Sequence, residues 1–222
     1  MSTMMRTQRL LVTRRNPETT GYEAVGELER SEDGYSFTYC PGVTRPLHGM
    51  PDLAKTYISD ELFPLFKHRV ISPRRADHDD YLQDLNLDPS ASPFEVLARS
   101  GGRSAVDTYE LTPIPEVGPV DILFLVHGIR HLDPLEQEAV SQLKPGDELD
   151  LQPQPDNPHD AQAVLVSRSG CRLGYVPAPL TSYLSKIMAH DHDHELRVER
   201  LNPLAAGFHM RLLVRVCGTY EG

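Results

Sequence analysis

No stretch of this sequence reaches the roughly 20 apolar residues that a membrane-spanning helix needs. The start, Met1 to Thr13, has no apolar centre, so it does not read as a secretory signal. Cysteine is scarce. Cys40, Cys171 and Cys217 are scattered and form neither a C-x-x-C pair nor a disulfide framework, which predicts reduced thiols in a cytoplasmic protein. A basic excess is missing too: 22 Lys and Arg stand against 32 Asp and Glu, a net charge of −10 shared about equally by the parts before and after Gly118. A protein that coats duplex DNA would be basic. Any nucleic-acid site here must therefore be a local pocket acting against long-range repulsion. Repeats, low-complexity segments and a Ser-His-Asp or Cys-His order are also lacking, so the expectation is a non-enzyme with no catalytic residue and no cofactor.

What is present centres on Leu143 to Tyr183. Lys144-Pro145-Gly146-Asp147 is a turn, because Pro fixes φ and Gly frees it. Leu149 and Leu151 alternate with Asp150 and Gln152 as in a strand. A proline-rich corner carries Asp156-Asn157-Pro158-His159-Asp160. Two short strands follow, Ala163 to Ser167 and Cys171 to Val176, turned at Ser169-Gly170. A helix over Leu180 to Met188 comes next.

That order, G-D-x-L, N-P-H-D-x-x-A-V-x-V and G-x-x-x-G-Y-V-P, resembles the HIRAN domain, a module of DNA-repair and chromatin-remodelling proteins that occurs alone or fused to helicases. The resemblance extends upstream to Phe124-Leu-Val-His-Gly-Ile-Arg-His131 and downstream to about Cys217. Within it, Val120 to His127 is a near-continuous apolar run, which predicts a central strand. Asp133-Pro134-Leu135-Glu136 has a capping residue, Pro at the first helical position and Glu for a capping box. Glu195 to Arg200 and Phe208 to Val216 read as the closing strands. Five or six short strands with two inserted helices suggest a small, partly open β-barrel.

The first half is α+β. After a frayed start at residues 1–7, Gln8 to Thr13 reads as a strand, and Tyr22 to Leu28 with Tyr35 to Tyr39 as a hairpin around Glu32-Asp33-Gly34. Three short helices follow: one capped by Asp60 with Leu62, Leu65 and Phe66 on one face and ended by Pro73, one over Ala76 to Leu85, and one opened by Ser92-Pro93-Phe94-Glu95 and stopped by Gly101-Gly102. Leu62, Phe63, Leu65 and Phe66 supply more apolar surface than one helix face buries, which predicts an exposed patch for a partner. Gly26-Glu-Leu through Tyr35-x-Phe-x-Tyr39, Tyr57, the Leu-Phe-Pro-Leu-Phe run and Pro93 to Ala98 together resemble the N-terminal subdomain of HipA-type toxin kinases. The phosphate loop, catalytic Asp loop and metal-binding Asp motif of a kinase core are absent. The expected domains are thus a HipA-subdomain-like module at 1–112, a stiff proline-rich linker at 113–119 and a HIRAN-like domain at 120–222.

Taken alone, Asn157-Pro158-His159-Asp160 is a turn whose Asn and Asp bond their own backbone. The HIRAN resemblance gives the motif a second reading, since the family's N-P-Y-D lies in a pocket for a single-stranded 3′ end. A carboxylate suits such a pocket: it accepts a hydrogen bond from a free 3′-hydroxyl and repels a continuing phosphate. Arg130 matches the family's basic position, and a guanidinium binds phosphate bidentately; otherwise it is a solvated Arg at a strand end. His131 and His159 stand where the family commonly has tyrosines, which weakens base stacking without abolishing it. Tyr175 is either a further ring wall or core. His190-Asp-His-Asp-His194 and the acidic run at Asp77 to Asp80 read as solvated surface, not metal ligands. The leading expectation is a protein that binds single-stranded DNA or DNA 3′ ends through Arg130, His131, Asn157, His159, Asp160 and Tyr175, with its first half docking a protein partner. The alternative is an antitoxin-like protein that restrains a HipA-type kinase and carries a degenerate HIRAN pocket.

Overall fold

The computed structural model describes residues 9–16, 21–104 and 106–222; the start expected to be frayed, at 1–7, lies outside them. The chain divides into two units, one reaching Ile114 and the other running from Pro115 to Gly222, with Asp84–Asn86 grouped with the second.

In the first unit, β1 (Arg9–Arg15), β2 (Tyr22–Ser31), β3 (Gly34–Tyr39), β4 (Tyr57–Ser59) and β5 (Tyr109–Pro113) form an antiparallel sheet in the order β4-β3-β2-β1-β5. Period-2 alternation turns Leu28, Phe37 and Tyr39 into one core with Leu10 and Val12, and a β-bulge at Val25 shifts the phase of β2 so that Val25, three residues before Leu28, joins the same core. The Tyr39 hydroxyl is satisfied inside that core, donating to the Met50 carbonyl at 2.7 Å and accepting from the Leu47 amide at 2.6 Å.

Three helices, α1 (Pro64–Lys67), α2 (His78–Asp84) and α3 (Pro93–Ser100), complete the unit. α3 is built as its sequence dictates. Ser92 and Glu95 close a reciprocal capping box, and Gly101 ends the helix in the left-handed region at φ 73°. α1 departs from expectation: it begins at Pro64, not after Asp60, and lasts four residues. Pro64 explains the late start, because the ring disfavours helical backbone in the residue before it, and Phe63 is extended at φ −52° and ψ 141°. The expected exposed apolar patch is corrected as well. Leu62, Phe63 and Phe66 are buried in the unit's own core and Leu65 packs against it. The linker is also narrower than 113–119, since Pro113 ends β5 and Gly118-Pro119 opens β6, leaving 114–117 between strands.

The second unit holds β6 (Gly118–Leu125), a 3-10 turn (Ile129–His131), α4 (Pro134–Ser141), β7 (Glu148–Pro153), β8 (Val164–Arg168), β9 (Cys171–Tyr175), α5 (Ala178–His190), β10 (Glu195–Leu201) and β11 (Leu212–Tyr220). Its antiparallel sheet runs β6-β11-β10-β7-β8-β9. Ser169 and Gly170 both have positive φ, 50° and 80°, the conformation of a type I′ hairpin turn between β8 and β9. α4 opens with the second capping box, Asp133 with Glu136, and the same Glu136 carboxylate receives a two-armed ion pair from Arg172 of β9 at 2.5 and 3.0 Å.

Two strand expectations are corrected here. β6 lies at the end of the sheet, paired with β11 alone, although Ile122, Leu123, Phe124 and Leu125 are all buried. A continuous apolar run reports burial of both faces and says nothing of how many neighbours a strand has. The last strand begins at Leu212, not Phe208, because a 3-10 turn at Leu204–Ala206 and Gly207 at φ 85° come first; Phe208 is 40 % exposed. The sheet's end strands meet through one bridge: His127, just past β6, and Tyr175 of β9 exchange both amide hydrogen bonds at 2.8 Å. Among the described residues no ladder continues from that bridge, so the sheet is not a closed barrel.

Candidate functional site

The site is built around the end of β9. Gly174 makes it possible: its φ of +133° belongs to glycine, and a Cβ there would lie 2.5 Å from the His127 carbonyl oxygen and 2.6 Å from Val126 Cγ1. The chain after β6 can thus close on β9, and the His127–Tyr175 bridge forms. Gly128, at φ 82°, then turns the backbone into the 3-10 turn, and Tyr175 Cδ2 lies 3.3 Å from where a Cβ of Gly128 would stand. Ile129 is 2 % exposed and anchors the turn in the core. Burying a side chain of that size contributes about 1.5–3 kcal/mol. Arg130 and His131 are left exposed beside the half-buried Tyr175.

Within that turn Arg130 Nε donates to His131 Nε2 at 2.8 Å. Among the described residues Arg130 has no carboxylate partner, whereas Arg168, Arg172, Arg197 and Arg215 are each held by at least one. Among the described residues no hydrogen bond reaches the two Nη groups of the exposed Arg130.

The N-P-H-D motif lies in the corner between β7 and β8. Asn157 Oδ1 accepts the amides of His159 at 3.0 Å and Asp160 at 3.3 Å, and Asp160 Oδ1 accepts the amide of Gln162 at 2.8 Å. Two successive Asx turns therefore shape the corner. The Gln154 amide donates to the Ala163 carbonyl and the Ala163 amide to that of Asp160, which tie the corner to the start of β8. His159 is exposed, and Asn157 and Asp160 are half-buried. The turn-building role expected of Asn157 and Asp160 from their residue types is present in the geometry.

Topology brings the corner to the end of β9. Leu165 pairs with Tyr175 and the Val176 amide donates to the Val164 carbonyl, so the corner enters β8 at the end where Tyr175 leaves β9. Tyr175 touches the Arg130 turn on one side and is paired with β8 on the other. No hydrogen bond links Arg130 or His131 to residues 157–160 among the described residues. The glycines at 128 and 174 that make the approach possible were not among the residues singled out from the sequence. Their signal is a glycine on each side of the seam, in H-G-I-R and in G-Y-V-P.

A cleft of about 450 Å3 lies elsewhere, at the Ser169 hairpin, lined by Asp147, Glu148, Asp150, Arg168 and Arg197. Arg168 already donates to both Asp147 oxygens at 2.8 Å, and Arg197 pairs with Glu148 and Glu195, so the cleft offers no uncommitted cation for an anion. His190 Nδ1 and His194 Nδ1 bond backbone carbonyls of Lys186 and Asp191, and no group of three metal-binding side chains occurs among the described residues. No helix among them is long and apolar enough to cross a membrane.

Comparison with known proteins bears on the second unit. No curated protein matches the sequence. Two solved structures are similar: the HIRAN domain of human HLTF, at 19% identity, 47% of this chain, 79% of that chain and a TM-score of 0.34, and a protein from Lactobacillus plantarum, at 19% identity, 47% of this chain, 100% of that chain and a TM-score of 0.35. The family model of the HIRAN domain matches residues 120–218, and with the G-D-x-L, N-P-H-D and G-Y-V-P motifs in order along that stretch, the chain carries a HIRAN domain in its C-terminal half.

Proposed function

We propose that this HIRAN domain binds single-stranded DNA and selects its 3′ end at the surface around Tyr175. The observation that carries the reading is the guanidinium of Arg130, whose Nε is held by His131 and whose Nη groups meet no carboxylate among the described residues, exposed in a unit where Arg168, Arg172, Arg197 and Arg215 are held by carboxylates, next to the half-buried Tyr175 ring. A guanidinium of this kind takes a phosphate through two parallel N–H donors. The Tyr175 ring offers a base a stacking face, and a stacked base contributes about 1–3 kcal/mol. Asp160 has one oxygen fixed by the Gln162 amide and a second that no hydrogen bond reaches among the described residues. That second oxygen accepts a terminal 3′-hydroxyl and repels the phosphate of a continuing strand. His131 and His159 frame the surface as smaller rings than the tyrosines usual in the family. The role is binding, not turnover.

The acidic balance of the chain speaks for the interaction-protein alternative, but Leu62, Phe63 and Phe66 are buried and the half-buried Leu65 packs against them, which leaves little of the apolar surface that partner docking relied on. Fluorescence anisotropy with a short labelled single strand tests the proposal on the full chain. Arg130→Ala and Asp160→Ala are each expected to weaken binding by about tenfold to a hundredfold, the loss of one charged hydrogen-bond partner at ~1.5–3 kcal/mol. Unchanged affinity in both variants would overturn it.

A further inference from the structure

The surface assigned to DNA contains one residue whose geometry fits a different task from the one its motif suggests. Asn157 is half-buried, and its side-chain carbonyl is occupied by two amides in succession, those of His159 and Asp160. Its own amide donates to the Gln154 carbonyl at 2.9 Å, so the residue is held at the backbone as well. Pro158, between acceptor and donors, fixes φ and supplies no amide of its own, which leaves the two following N–H groups as the ones the Asn carbonyl can gather. The next link repeats the device, with Asp160 Oδ1 on the Gln162 amide. The chain Asn157, Asp160, Gln162 thus orients the Asp160 carboxylate from its backbone side and from one of its own oxygens.

We infer that Asn157 is a positioning residue for His159 and Asp160, and that it contributes to 3′-end recognition without touching DNA. This rests on the end-binding reading for its functional consequence, but the positioning itself is a property of the free protein. The physical content is preorganisation. The corner is exposed at Pro155, Asp156, Pro158 and His159, so without the Asn157 carbonyl the two amides turn to water and the corner samples other conformations. Ligand affinity then falls by the fraction of molecules in the competent conformation. A net hydrogen-bond contribution near 1 kcal/mol corresponds to about a threefold to tenfold loss.

The test uses the full chain with Asn157→Ala, Asn157→Ser and Asn157→Asp. Serine and aspartate both keep a side-chain oxygen able to accept the following amides, while neither keeps the Asn side-chain amide that a direct contact would use. Amide–water exchange at His159 and Asp160, read by NMR without DNA, is expected to rise by about threefold to tenfold in Asn157→Ala and to stay near the original rate in the other two. Affinity for a single strand with a free 3′-hydroxyl is expected to follow, falling about threefold to tenfold in Asn157→Ala and recovering in Asn157→Ser. Poor binding by Asn157→Ser with its amides still slow to exchange would overturn the inference and make Asn157 a direct contact. Unchanged exchange in Asn157→Ala would overturn it too. If the unaltered protein shows no affinity for strand ends, the end-binding reading fails, and the exchange rates still decide whether Asn157 positions the corner.

Discussion

At the scale of single residues the site depends on a glycine as much as on its charged groups. Gly174 stands at φ +133° with the His127 carbonyl 2.5 Å from its missing Cβ, so any side chain there displaces the backbone that carries Tyr175. Gly174→Ala combines a backbone region disfavoured for other residues with a backbone clash, a cost of the order of 3 kcal/mol. Gly128→Ala meets only the edge of the Tyr175 ring at 3.3 Å, with a left-handed φ of 82°, and is expected to cost about 1–2 kcal/mol. Urea unfolding of the two variants checks the order, and a Gly174→Ala protein as stable as the original would refute the close approach. Arg130 and Asp160 could be proposed from the sequence because a guanidinium and a carboxylate have obvious uses, and the exposure of Arg130 and the half-burial of Asp160 are what the structure adds. For Asn157 the residue type permits both a turn and a contact; the His159 and Asp160 amides on its side-chain carbonyl establish the turn, and the exchange and binding experiment above separates positioning from contact.

At the scale of elements, what could be read from sequence was whatever local chemistry decides. Both capping boxes formed at the residues that announced them, Ser92 with Glu95 and Asp133 with Glu136. The Ser169-Gly170 turn took the positive φ values a two-residue hairpin needs. Non-local features were not readable. That β6 ends the sheet depends on which strands fill the other edge. The late start of α1 is a local effect that was misread, since Pro64 disfavours helical backbone at Phe63 and so overrules the cap at Asp60. In the first unit, β2 and β5 are tied across β1 by the Tyr22 hydroxyl, which donates to Glu110 Oε1 at 3.0 Å. Burial first, then the Glu110 carboxylate, pushes the Tyr22 hydroxyl from the ordinary 10.0 up to about 12. A folded value above the unfolded one means stability that is intact below about pH 10 and is lost as pH rises towards 12. The urea midpoint should therefore fall more steeply between about pH 9.5 and 11.5 in the original protein than in Tyr22→Phe. Parallel losses in the two proteins would show that Tyr22 contributes nothing to the alkaline limit.

At the scale of the whole molecule the puzzle is charge. A chain of net charge −10 repels a polyanion at long range, and the part after Gly118 carries about half of that excess. The proposed end-binding therefore draws on contacts at one end of β9, to which the His127–Tyr175 bridge brings the turn carrying Arg130 and the pairing of β8 with β9 brings the corner bearing Asp160. Such a site is suited to the end of a strand, which presents one hydroxyl and one or two phosphates, and not to a long groove of backbone. The proposed surface lies within the second unit, the part of the chain that the HIRAN match at 120–218 covers. The most direct measurement is a titration of the full chain against the same single strand with a free 3′-hydroxyl and with a 3′-phosphate. Selection by the Asp160 carboxylate predicts binding to the free end about tenfold or more tighter, with the difference abolished in Asp160→Ala. Equal affinity for free and blocked ends would contradict the account.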